Sequence, residues 1–231
     1  MPNFKHRSEQ QEIMDDFWLS PDELHPVLKE LDVINRWLGG FSVYFDAFNQ
    51  LKIDNEVNVA DWGCGSGDTF KVLQKYFDKN AIRPQFVGVD AAPATLAYAA
   101  KQFENHQNVR FLLADVVNEN FKEETFDIVI SSLFTHHFDD KAWVKLIQKM
   151  MFSAKHAVII NDLHRHPLAY YSIAMLTTLF SKSPMVKNDS KVSVLRGFKK
   201  QELEQLLQKA GAKNYRIKWM WAFRWQVIIY K

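Results

Sequence analysis

The alternation of apolar and polar positions divides the chain into strand-sized and helix-sized runs. Val57, Val59 and Ala60 form a short apolar run with the β-branched residues that favour strands. From Asp68 the period changes, and Phe70, Leu73, Tyr76 and Phe77 recur at helical spacing. The change repeats downstream. Gln85–Asp90 and Val109–Leu113 predict strands on either side of a helix opened by Pro93 and reaching Phe103, with Leu96 and Ala100 inward. Phe126–Leu133 is apolar on both faces, as a central parallel strand should be, and Asp139 or Asp140 caps a helix bearing Trp143, Leu146, Ile147 and Met150. Ala157–Ile160 predicts a fifth strand and Leu168–Phe180 an apolar, helix-like run. Phe198–Ala210 predicts an amphipathic helix stopped by Gly211, and Tyr215–Trp221 with Arg224–Tyr230 a terminal strand pair. Strands alternating with helices imply an α/β, doubly wound, mainly parallel sheet with ligands at the strands' C-terminal ends.

The residues before this series, up to about Gln50, read as helical. Ser20, Pro21 and Glu23 supply a cap, a first-turn proline and a capping-box acid, and Leu24, Leu28, Leu31 and Ile34 follow at helical spacing until Gly39 and Gly40 interrupt. Phe41, Tyr44, Phe45 and Phe48 predict a second short helix. Between Leu168 and the last helix, Lys182, Lys187, Lys191, Arg196, Lys199 and Lys200 face a single acid, Asp189. This segment reads either as a lid with a basic lip or as a packed helix followed by a solvated loop.

The most informative stretch is VNVADWGCGSGD, Val57 to Asp68, in which a strand runs into Gly63, Gly65 and Gly67 and then into a helix. Strand, glycine loop and helix open a nucleotide-binding βαβ unit. The spacing is G-x-G-x-G, not the G-x-G-x-x-G that brings a pyrophosphate to a helix N-terminus. Asp61, two residues before the first glycine, would repel a phosphate and attract an ammonium. S-adenosylmethionine (SAM) has an ammonium and no phosphate; a nicotinamide oxidoreductase is correspondingly disfavoured.

On these residues the stretch resembles motif I of the class I SAM-dependent methyltransferases, and the resemblance extends from Val57 to about Phe138. INRWLGG and NDLHRHP further resemble a bacterial subgroup of small-molecule methyltransferases, some associated with polyketide or quinone-like products. The resemblance implies one domain over residues 1–231: a helical cap over 1–52, a Rossmann-like seven-stranded core over 57–231 with its last strand antiparallel, and an inserted lid-like segment over 165–197. It implies SAM as cofactor and S-adenosylhomocysteine (SAH) as product. Asp61, Gly63, Cys64, Gly65 and Gly67 then belong to the cofactor loop. Asp90 takes the ribose diol, with Ala91 beside it, although a helix cap would also account for that acid. Asp115 takes the adenine amino group and the Val116 amide the ring. Ser131 is placed at the cofactor, and Arg36 either reaches its carboxylate or is an ordinary surface arginine.

Composition narrows the class. A net charge of +2 over 231 residues leaves no overall electrostatic footprint for nucleic acid, and 47% hydrophobic residues describe an ordinary globule. The single cysteine, Cys64, cannot form an internal disulfide, and MPNFKHRSEQQE lacks the apolar core of a secretory signal, so a cytoplasmic location is expected. No stretch has the ~18 consecutive apolar residues of a membrane span.

His136, His137 and His164 fall in loops expected to face the transferred methyl, and a histidine suits removal of a proton near neutral pH. One histidine after the fourth strand often packs structurally in related folds; His137 or His164 is favoured as the base. SSLF lacks the motif used on nucleic-acid amines, and Cys64 is misplaced for cytosine C5 chemistry. Ser131 and Ser132 occupy the place of the catechol-type magnesium aspartate, and Asn161-Asp162 reverses the other pair, so no metal is expected. What remains is a small, largely apolar acceptor, a phenolic or quinol-like oxygen. A carbon acceptor, or a SAM-binding protein without catalysis, is the alternative.

Overall fold

The computed structural model describes residues 2–231, so Met1, the first residue of the expected cap, lies outside the described residues. Seven strands form one sheet in the order β3-β2-β1-β4-β5-β7-β6. They are β1 (Glu56–Trp62), β2 (Arg83–Asp90), β3 (Val109–Leu113), β4 (Phe126–Ser132), β5 (Ala154–Leu163), β6 (Tyr215–Met220) and β7 (Arg224–Tyr230). β1 to β5 are parallel, and β7 inserts antiparallel between β5 and β6. The fold is therefore the doubly wound, mainly parallel sheet the apolar pattern implies.

Alternation along the strands feeds two cores. Ala60, Trp62, Val129, Val158, Ile160 and Val227 face one side, where α5 (Asp140–Ser153) contributes Trp143 and Leu146 and α8 (Lys200–Lys209) contributes Leu203 and Leu206. Val57, Val59, Ile128, Ile159 and Ile228 face the other, against Tyr44 and Phe48 of α2 (Ser42–Phe48) and Phe70, Leu73 and Phe77 of α3 (Asp68–Lys79). Both faces of the central strands are covered, which is why those strands read as continuous apolar runs. α4 (Pro93–Gln102) has proline at its start, as its sequence predicts.

The N-terminal helix, α1 (Pro21–Trp37), begins where expected: the Ser20 side chain accepts from the Glu23 amide, and Glu23 returns a bond to the Ser20 amide. Asp139 caps α5, its Oδ1 accepting from the Ala142 amide at 2.8 Å.

Two expectations are corrected. Among the described residues, those before Ser20 are not helical apart from a short 3₁₀ turn at Ile13–Asp15. They are strapped to the core by a partly buried and a buried arginine: Arg7 donates to the carbonyls of His136 and Phe138 at 3.0 and 2.8 Å, and Arg165 Nε donates to the Phe4 carbonyl at 3.2 Å. Such long-range charge-assisted bonds leave no periodic trace in the sequence. The second correction concerns the basic segment after α6 (Pro167–Phe180), which is a helix, α7 (Pro184–Arg196), and not a solvated loop. Ser183 accepts from the Val186 amide as its cap and Pro184 opens it. Its apolar stripe is interrupted by Asp189 and Arg196, both buried, so Arg196 faces inward and not into a basic lip.

Candidate active site

The C-terminal ends of β1, β2 and β4, together with α1, α6 and α7, enclose a cleft of about 480 Å³. That volume suits a small-molecule ligand. A smaller cavity, about 240 Å³, lies at the opposite edge of the sheet between Gln50 and Lys231 and contains none of the residues singled out from sequence.

The loop after β1 forms one wall. Gly63 and Cys64 anchor it by donating to the Val89 carbonyl at 2.9 and 3.2 Å. The glycines divide their work. A Cβ at Gly63 would sit 2.2 Å from the Phe134 ring, so that glycine serves the protein's own packing. Gly65, at φ +53°, would direct a Cβ into open space with nothing within 4 Å. It is the position where a ligand can approach the backbone. Gly67 lies against Phe103 and Phe111 and does not line the cleft.

Asp61 lines the cleft at 1% exposure, and neither carboxylate oxygen has a hydrogen-bond partner among the described residues. Burial pushes its carboxyl well above the usual range against an opposing pull from the nearby Thr69 hydroxyl, with the neighbouring Asp90 charge adding to the rise. A buried acid without a donor is costly unless something cationic completes it. The ammonium of SAM fits this chemistry, and a pyrophosphate does not.

Asp90 also lines the cleft, but its carboxylate has protein partners: Oδ2 accepts from the Gly65 amide and Oδ1 from the Ala92 amide, each at 3.0 Å. It therefore fastens the glycine loop to the next helix as well as facing the ligand space. Burial raises its carboxyl while these amides hold it down.

The other residues expected at the cofactor are placed less directly. Cys64 lines the cleft, buried, with its thiol pushed up by burial and by Asp90 and Asp61, so it is a poor thiolate nucleophile. Ser131 is buried and donates to the Trp62 carbonyl at 2.9 Å, tying β4 to β1. Asp115 is exposed beyond β3, accepting from Val117 N and Asn118 Nδ2 at 2.9 and 2.7 Å. Val116 buries its side chain in the core, and neither it, Asp115 nor Ala91 lines the cleft. Arg36 pairs with Asp32 one turn earlier at 2.6 Å and is not part of the lining either.

The three histidines separate sharply. His136 is buried between two acids, with Nδ1 2.7 Å from Asp162 and Nε2 3.3 Å from Glu12. Burial opposes its charge, but Asp162 and Glu12 outweigh burial and raise it to about 9. In the same way, burial would raise Asp162, yet His136 holds it down at about 2. His136 is thus an imidazolium at neutral pH. His137 is partly exposed to the cleft, and its Nδ1 lies 2.6 Å from Asp15 Oδ1. His164 packs on Trp225, with ring centroids 4.8 Å apart, and does not line the cleft. Burial lowers it to about 4, with the Arg165 and Lys199 charges adding to the effect.

Sequence reasoning passed over the acids behind these histidines. Glu12 and Asp15 come from the N-terminal strap, and Arg196 Nη1 meets Asp15 at 2.7 Å. Glu12, His136 and His137 each bring a ligand atom within 4.8 Å of the others, a spacing that could hold a metal. Pairing with Glu12, Asp162 and Asp15 accounts for the group as a chain of carboxylate–imidazole contacts. Sequence reasoning also missed Arg224, a buried arginine in the cleft wall.

Residues 59–156 match the family model described as a methyltransferase domain. The search of curated proteins found no match. Among solved structures, a SAM-dependent methyltransferase from Aquifex aeolicus superposes with a TM-score of 0.66 at 17% identity, covering 92% of this chain and 98% of that one. The plantazolicin methyltransferase BpumL in complex with SAH gives a TM-score of 0.66 at 16% identity, covering 94% of this chain and 93% of its own. BpumL with a pentazolic desmethylPZN analog and SAH gives 0.66 at 15% identity over the same shares, 94% and 93%. Over residues 59–156 the chain is similar to the methyltransferase-domain family, and its whole fold is the fold of SAM-dependent methyltransferases.

Proposed function

We propose that this protein transfers a methyl group from SAM to a small, largely apolar acceptor through a phenolic or quinol-like oxygen, releasing SAH. The observation that carries the reading is Asp61, a buried carboxylate with no partner facing a cleft beside the open Gly65 backbone. SAM, when bound, supplies a methyl on a sulfonium that leaves as a neutral thioether.

The chain's own residues position and deprotonate. Asp61 holds the ammonium, Gly65 admits the ligand to the loop, and Asp90 accepts from the ribose hydroxyls while keeping its bonds to the loop. Ala91, Asp115 and the Val116 amide belong to the adenine side of this reading, and Ser131 supports the strand end beneath it. Leu28, Leu31, Leu38, Phe134 and Ile173 make the rest of the cleft apolar, which suits a hydrophobic acceptor. α6 and α7 cover that side and act as the lid.

His137 is the base. Asp15 fixes Nδ1 as the protonated nitrogen, leaving Nε2 to accept the acceptor's proton, an arrangement of base and orienting acid. As the acceptor oxygen attacks the methyl carbon, its O–H proton passes to His137 and the carbon–sulfur bond pair stays on sulfur. His136 is already protonated and His164 lies outside the lining, so neither is suited to the task. The test is incubation with methyl-labelled SAM and a panel of phenols and quinols. Label should appear in acceptor with wild type and not with Gly65→Val. SAH binding without transfer to any acceptor would refute catalysis while leaving cofactor recognition standing.

A further inference from the structure

The cleft holds a second buried charge to which the mechanism above assigns no work. Arg224 opens β7 opposite Leu163 at the end of β5 and is 2% exposed. Its Nη2 donates to Asn35 Oδ1 at 2.9 Å, but Nε and Nη1 have no hydrogen-bond partner among the described residues. Gln226, two residues along the same strand, places its donor better: its Nε2 donates to the Val43 carbonyl at 2.7 Å and to Asp46 at 2.9 Å, although its Oε1 has no partner among the described residues.

The nearby acid does not satisfy Arg224. Asp162 spends its oxygens on Thr135 Oγ1 at 2.6 Å, on the amide and Nδ1 of His136 at 3.0 and 2.7 Å, and on the Leu163 amide at 2.7 Å. Asp15 pairs with Arg196 and Asp140 with Arg7. Burial lowers Arg224 to about 10, against the pull of Asp162 and Tyr44, which still leaves it a cation at neutral pH. A buried guanidinium short of acceptors costs stability that a ligand anion would recover.

We propose that Arg224 forms a carboxylate subsite on the β5–β7 side of the cleft, receiving a ligand carboxylate on one edge of its guanidinium, at the unpartnered Nη1 or Nε together with the second hydrogen of Nη2. A guanidinium matches a planar two-oxygen anion, and the acids in the same lining, Glu12, Asp15, Asp61 and Asp90, disfavour a more highly charged phosphate. The inference rests on the methyltransferase reading, which allows two sources of that group. One is the amino-acid end of the cofactor, whose ammonium goes to Asp61, so that an acid and a base left unpaired by the protein would clamp one zwitterion. The other is a carboxylate on the acceptor.

Calorimetric titrations of wild type and Arg224→Gln separate the sources. The ligands are SAH, then 5′-methylthioadenosine, which lacks the amino-acid end, then 4-hydroxybenzoate added to the SAH-loaded protein. If the cofactor supplies the carboxylate, Arg224→Gln weakens SAH about 10- to 100-fold and leaves 5′-methylthioadenosine unchanged. If the acceptor supplies it, both adenosyl ligands bind as in wild type and 4-hydroxybenzoate binding falls by a similar factor. Should Arg224→Gln fail to fold, Arg224→Lys, which keeps the charge and loses the fork, carries the same comparison with a smaller selective loss. Equal weakening of SAH and 5′-methylthioadenosine, or no change with any ligand, overturns the proposal. Wild type that binds neither adenosyl ligand refutes the methyltransferase reading itself, and the subsite with it.

Discussion

Replacing Asp61 by asparagine separates ligand recognition from structure. The substitution keeps shape and removes the charge, at a carboxylate that no described residue bonds. An interaction between this acid and a ligand ammonium is a charge-assisted one, worth about 1.5–3 kcal/mol. The expected loss in SAH affinity is therefore about 10- to 100-fold. The unliganded protein should behave in the opposite sense. A buried acid whose ionised form is disfavoured by burial gives no folding energy to lose, so Asp61→Asn should melt at the same temperature as wild type or higher. Proton uptake gives a third readout. Because burial raises the carboxyl and a ligand ammonium would draw it back down, SAH association should release protons and tighten as pH rises. Titration in two buffers of different ionisation enthalpy measures that release. A lower melting temperature together with unchanged SAH affinity would refute the reasoning and make Asp61 a structural acid.

Further outcomes follow from the same geometry. Gly65→Val should abolish SAH binding, since its side chain would fill the open approach and the left-handed φ would add strain; unchanged affinity in a folded variant would overturn the loop's role. Asp90→Ala should lower both SAH affinity and apo melting temperature, because the carboxylate bonds the amides of Gly65 and Ala92; a loss confined to stability would make it a fastener alone. His137→Ala should slow transfer to a phenol by roughly 10²–10⁴-fold with little change in SAH affinity, whereas His164→Ala should leave turnover near wild type. The His136–Asp162 pair sets a stability window. His136 is raised from 6.5 to about 9, so its contribution is complete below pH 6.5 and lost as pH rises through 9. Asp162 is lowered from 3.8 to about 2, so its contribution is complete above pH 3.8 and lost as pH falls through 2. Melting curves of His136→Asn against pH should show a flattened alkaline limb.

What the sequence made legible was local. The Ser20–Glu23 capping box, the Asp139 cap and the strand–glycine–helix at Val57–Asp68 each declare themselves within a few residues, and the structure places them as expected. The three loop glycines are equivalent in sequence, yet a Cβ at Gly63 would meet Phe134 and one at Gly65 would enter open space, a distinction set by a side chain about seventy residues away. α7 was missed because its buried face includes Asp189 and Arg196, which satisfy each other's neighbours across the N-terminal strap; Asp189 accepts from the amides of Ile13 and Met14 at 2.9 and 3.0 Å. Polar residues buried that way read as solvent-facing. Arg224 had one visible signal. RWQVIIY is a strand for the sheet interior, yet Arg224 and Gln226 put two polar residues on the same face, which demands partners for both. His136 and His137 follow β4 and His164 follows β5, but the surroundings of the first two depend on Glu12, Asp15 and Asp162, which only the fold brings together, and His164 lies outside the cleft lining.

The central claim is that the cleft recognises SAM through Asp61 and the G-x-G-x-G loop. Titration of the wild-type protein with SAH and, separately, with NADH tests it most directly. One SAH should bind per chain, with a heat that Gly65→Val abolishes, and NADH should give none, because its pyrophosphate would meet Asp61. Saturable NADH binding with no response to SAH would contradict the account.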